Sequence, residues 1–119
     1  MKTPSIKSWD CIDHDPIEEW IPDDPSDVDF WCNIAIGVSG EEGSDNFAVH
    51  IATSKAVSRI TDKRYLVVIP YYENWNHVLA ILNSIVDTCK DINWQGMSEQ
   101  LSKHFQWEYA SMRKSSSVH

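Results

Sequence analysis

Positive charge is scarce in this chain and nearly missing from its first half. Only Lys2 and Lys7 stand among the first fifty residues, against twelve acids, a net of −10, while residues 51–119 hold eight bases and six acids. A surface so biased repels nucleic acid and anionic lipid and favours basic partners. No run of about 18 apolar residues occurs, so no membrane span is expected. The opening "MKTPSIKSWDCIDHD" has no apolar stretch after its lysines, which argues against a secretory signal. Cysteine is limited to Cys11, Cys32 and Cys89, odd in number, widely spaced and without a C-x-x-C pair. That pattern predicts reduced thiols in a cytoplasm, not a disulfide framework or a zinc site.

Catalytic signatures are missing too. There is no G-x-S-x-G, no G-x-G-x-x-G, no H-E-x-x-H and no basic patch interleaved with aromatics. The histidines, His14, His50, His77, His104 and His119, have no metal-ligand spacing. His50 should point away from the Phe47/Val49/Ile51 face, toward solvent or a partner, and His77 and His104 fall on the polar sides of their helices. Cys32 and Cys89 lie among apolar positions and read as small buried hydrophobes. Asp23, Asp24, Asp27 and Asp29 could supply a carboxylate pair, but acid–base work needs one acid shielded from water. Four acids in a Pro-rich segment are expected to be solvated. No catalytic residue, cofactor or metal follows from these residues.

What is present is a core. The chain is 42% apolar with six Trp, four Tyr and three Phe, and its 119 residues are the length of one domain. Residues 1–29 read as an extended acidic lead-in, with Pro22 and Pro25 and an anchor at Trp20 and Ile21. From Phe30 apolar residues alternate through Cys32, Ile34, Ile36 and Val38, and again through Phe47, Val49, Ile51 and Thr53, two half-buried strands. "SKAVSRITDK" suggests a short helical turn, and "RYLVVIPYY" a third strand stopped at Pro70. Trp75, Val78, Leu79, Leu82, Ile85, Val86 and Cys89 then follow helical spacing behind an Asn74 N-cap. A second helix starts after Asn93, and "HFQWEYA" returns to alternation as a last strand. The expected fold is α+β: an antiparallel sheet of about four strands with two helices packed on one face. Residues 30–110 form the core of the domain and 111–119 a frayed tail.

Between the first two strands lies "SGEEGSDNF" (Ser39–Phe47), rich in acids and glycine. A calcium loop needs oxygen ligands alternating from a first Asp, and a terminal Glu. A phosphate loop needs a Lys, and two Glu would repel phosphate. Two alternating runs joined by a short Gly-containing stretch predict a hairpin.

Three segments taken together, "WIPDDPSDVDF", "IGVSGEEGSDNF" and "LSKHFQWEY", resemble the immunity protein 8 family of bacterial polymorphic toxin systems, over about Ile17 to Tyr109. The resemblance implies a cytoplasmic protein that binds and neutralises a cognate toxin, protecting the producing cell and its siblings, without catalysis or cofactor. The partner would be a toxin domain, basic if it is a nuclease, with no direct nucleic-acid or membrane binding. Within the family the turn and the W-E-Y strand recur whatever the toxin, which assigns them to the fold; Gly43 is then expected at positive φ and Trp107 between sheet and helices. The contact surface expected here is Asp23, Asp24, Asp27, Asp29, Glu41, Glu42 and Asp45, with Trp20 and Tyr72 as aromatic anchors. A second reading of the same residues is a small acidic adaptor that docks on a basic protein in an unrelated assembly.

Overall fold

The computed structural model describes residues 1–109. Ten residues of the first alternating run form β2 (Asp29–Val38), and the second forms β3 (Asp45–Thr53). They pair antiparallel with Trp31 opposite His50 and Ile36 opposite Asp45, which is the hairpin read from their turn. A strand not expected from the sequence, β1 (Pro4–Asp10), pairs antiparallel with the other side of β2. Beyond β3 a single-turn helix α1 (Ser54–Val57) leads into β4 (Leu66–Ile69), which runs parallel to the C-terminal half of β3. The two-residue β5 (Gln106–Trp107) takes the N-terminal half of that same edge, antiparallel at Phe47 and Ala48. Among the described residues the sheet therefore has five strands, four along the order β1-β2-β3-β4 with β5 beside β3. The architecture is α+β as expected, with one parallel pairing and, among the described residues, one strand more than the sequence suggested; α1 is the short helical turn read in "SKAVSRITDK".

The helices α2 (Trp75–Asp87) and α3 (Trp94–Leu101) start where their asparagines predict: Asn74 accepts from the His77 amide at 2.8 Å and Asn93 from the Gly96 amide at 2.9 Å. Their apolar stripes, Trp75, Val78, Leu82 and Val86 with Leu101, join Phe30, Ile34, Ile36, Phe47, Val49 and Ile51 in one core on one face of the sheet. Each fully buried Ile or Leu there contributes roughly 1.5–3 kcal/mol. The opposite face carries Trp31 and Val68, 41% and 50% exposed, and is covered by α1 only around Ala52 and Ala56.

The lead-in expected over residues 1–29 is thus in part a strand. Its register shifts between Ile6 and Ser8. A bulge of this kind breaks the period of two, so Ile6 and Trp9, three apart, both pack on the core. Ile21, expected as an anchor, is 84% exposed.

The cysteines also depart from expectation. Asp10 sits opposite Asn33 in the β1–β2 ladder, which brings Cys11 beside Cys32, Cα to Cα 4.5 Å, and the two form a disulfide. Cys89 remains a buried free thiol whose pKa burial raises. Spacing in sequence concealed a pair that strand register made.

Candidate interaction surfaces

With β1 in the sheet, residues 11–28 become a crossover fixed at both ends. Ile17 is buried beneath it, 2% exposed. Trp20 stacks on His14 at 3.7 Å and meets Phe30 and Tyr72 edge-on at 5.5 and 5.0 Å. At its far end Thr53 Oγ1 accepts the Val28 amide at 2.9 Å. The crossover has an aromatic underside and an acidic outside.

The acids of this end differ in what they do. Asp24 accepts the amide and hydroxyl of Ser26 at 3.0 and 2.7 Å, bonds that lower its pKa, and lies 3.7 Å from Lys55. Asp27 pairs with Arg59. Asp29 binds His50 Nε2. Trp31, opposite His50 in the ladder, stacks over that ring at 4.7 Å. His50, expected at the surface, is therefore only 6% exposed: it does lie on the face away from Phe47, but its cross-strand neighbour covers it. Asp23 is exposed and without a partner among the described residues. So are Asp10, Asp13, Asp15, Glu18 and Glu19, which the sequence reading left outside the contact surface. Ile12 and Ile21, 79% and 84% exposed, stand among them.

The turn end is built otherwise. Gly43 has φ +93°, as its place in the turn required, and its carbonyl oxygen would lie 2.2 Å from a Cβ on Gly37. The turn folds back over the strand at the one position without a side chain. Lys7 donates to the Glu41 carbonyl at 2.6 Å, and Lys2 pairs with the Glu41 carboxylate at 3.1 Å. Asp45 accepts the indole N–H of both Trp94 (3.0 Å) and Trp107 (3.1 Å). Glu108 accepts the Asn46 amide at 2.9 Å. Trp107 packs against the core, stacked on Phe47. Of the three acids expected to touch a partner here, only Glu42 is without one among the described residues.

The expected contact residues are not brought together. Asp23–Asp29 and Glu41–Asp45 flank opposite ends of β2, ten residues and roughly 30 Å apart. Trp20 is half-buried. Tyr72, expected as an exposed anchor, is 2% exposed and roofed by Trp20, with a hydroxyl that has no partner among the described residues. The missed acids carried one signal, the alternation of β1, and the bulge erased it.

Among the described residues no group of three or more His, Cys, Asp and Glu could hold a metal ion, and no helix is long and apolar enough to cross a membrane. No curated protein and no solved structure matches the chain at a significant level. A family model described as Immunity protein 8 matches residues 4–112, from the first residue of β1 through β5. The chain belongs to the immunity protein 8 family.

Proposed function

We propose that this protein neutralises a cognate bacterial toxin domain by binding it one to one and occluding its working surface, with the crossover as principal contact and no catalytic step of its own. The observation that carries this reading is the composition of residues 10–29: nine acids and no Lys or Arg, six of those acids exposed and unpartnered among the described residues, with two isoleucines standing out beside them. A toxin that cleaves nucleic acid is the partner class proposed, because a surface made to hold phosphates is basic. Unpaired carboxylates on a fixed crossover would speed encounter with such a surface, and Ile12 and Ile21 would slow dissociation once buried. The proposed place of action is the bacterial cytoplasm. There Cys11 and Cys32 would be held as thiols, and the crossover would rest on Ile17, Trp20 and Thr53.

The test begins with capture of the toxin from the producing strain on the tagged protein, washed at low and high salt, followed by association kinetics with the purified pair. Reversal of four crossover acids (Asp13, Asp15, Glu18 and Glu19 to Lys) should slow association about 100-fold at low salt. Reversal of Glu41 and Glu42 at the turn should change it by less than about threefold. Unchanged association for the crossover variant would remove the crossover from the interface.

A further inference from the structure

At the far side of the sheet from β1, β4 has one free edge. Its inner edge is in the parallel ladder with β3, and no described residue pairs with its outer one. The Tyr65 carbonyl accepts the His50 amide at 2.9 Å, so the ladder runs through alternate residues from Tyr65. The N–H and C=O groups of Leu66 and Val68 consequently face outward. Beside this edge lies a cleft of about 530 Å³. Its apolar wall is Ile81 and Ile85, one turn apart on α2 and partly buried. Its rim is basic: Lys63, Arg64 and Lys103 line it beside His104, and no acid among the described residues does. Arg64 is held by Asp62 at 2.8 Å, whereas neither lysine has an ion-pair partner among the described residues.

We infer that this edge is a second binding site, which takes an extended acidic segment of a partner protein as an added strand. Unpaired main-chain groups, an apolar wall and a ring of cations are the three things such a ligand needs: a ladder to continue, a surface for every second side chain, and counter-charges for its carboxylates. The crossover and the β4 edge are then opposite in sign and in partner, and the site does not depend on the toxin reading.

The probe is a capped octapeptide alternating valine and glutamate, titrated into ¹⁵N-labelled protein. The amides of Leu66 and Val68 should shift and gain protection from hydrogen exchange. A valine–lysine peptide should bind at least about tenfold more weakly. A glutamate peptide N-methylated at every residue should lose binding, because it keeps the charge and removes the ladder donors. Lys63→Glu with Lys103→Glu should weaken the glutamate peptide about tenfold, and the titration of the unaltered protein decides the matter should that variant fold poorly. Unmoved β4 amides at millimolar peptide would overturn the proposal and leave the lysines as guards of a strand edge. Equal binding of the lysine or N-methylated peptide would overturn it also. So would concentration-dependent dimerisation that protects the same amides, since the edge would then belong to a second copy.

Discussion

The two ends of the β2–β3 hairpin are both acid-rich in sequence and are built for different purposes. At the turn, Glu41 is tied to Lys2 and Asp45 holds two tryptophan indoles. At the crossover, five acids, with Asp10 just before it, face solvent without partners among the described residues. Both indoles donate to Asp45 Oδ2, and a partner that claimed that oxygen would have to displace them at a cost of about 1.5–3 kcal/mol each. The number of acids in a segment therefore says little about the charge it offers. Hydrogen-bond commitments decide that, and they leave most of the available acidic charge of the hairpin at its crossover end.

The largest effect should come from breaking the turn. Gly37→Ala drives a Cβ to within 2.2 Å of the Gly43 carbonyl oxygen, a backbone atom with no rotamer to escape into. The turn must lift off β2, and thermal or urea melts should show a loss of about 4 kcal/mol. At temperatures where the variant stays folded, the rate of association with the toxin should remain near that of the native protein.

Breaking the crossover is the converse experiment. The Cys11–Cys32 bond closes a loop of 21 residues of sequence separation, worth about 3 kcal/mol in the chain-entropy account. Cys11→Ser, or the native protein under reductant, should lose about that much in a urea melt. The residues nearest the break should exchange their amides fastest. Equal melts with and without reductant would show that Ile17, Trp20 and Thr53 hold the crossover by themselves.

A smaller change should separate a structural acid from a free one within the turn. Asp45→Ala removes the acceptor that the Trp94 and Trp107 indoles share and should lose about 2 kcal/mol with a shift in tryptophan emission. Glu42→Lys, which breaks no contact among the described residues, should stay within about 0.5 kcal/mol. If both variants melt alike, the bonds from the Trp94 and Trp107 indoles to Asp45 add nothing to the hold on the turn.

The legible parts of the fold were those whose period is regular. Alternation gave β2 and β3, helical spacing gave α2 and α3, and Asn74 and Asn93 marked both N-caps. What could not be read depended on register. One bulged residue hid β1, and without β1 neither the disulfide nor the crossover could be placed. His50 and Tyr72 were misjudged for a related reason. Local pattern tells which face a side chain leaves from, and says nothing of Trp31 lying over one or Trp20 over the other.

Tyr72 offers the mildest test, and one that touches only the crossover end. Its hydroxyl is buried with no partner among the described residues, and burial pushes its pKa from the ordinary 10.0 up to about 12. The folded state thus favours the neutral phenol, so the contribution is complete below pH 10 and is lost as pH rises from 10 to about 12. The full loss is about 3 kcal/mol, of which about half is reached at pH 11. Tyr72→Phe removes an unsatisfied hydroxyl and a titrating group together. At pH 7 it should match or exceed the native protein by up to about 1 kcal/mol. At pH 11 the advantage should grow by about 1.4 kcal/mol. Because Tyr72 lies directly beneath Trp20, alkaline loosening should appear first in amide exchange of the crossover, with the turn still protected. Loosening that appeared at both ends together would mean that the aromatic cluster supports the whole hairpin and that the two ends are not independent.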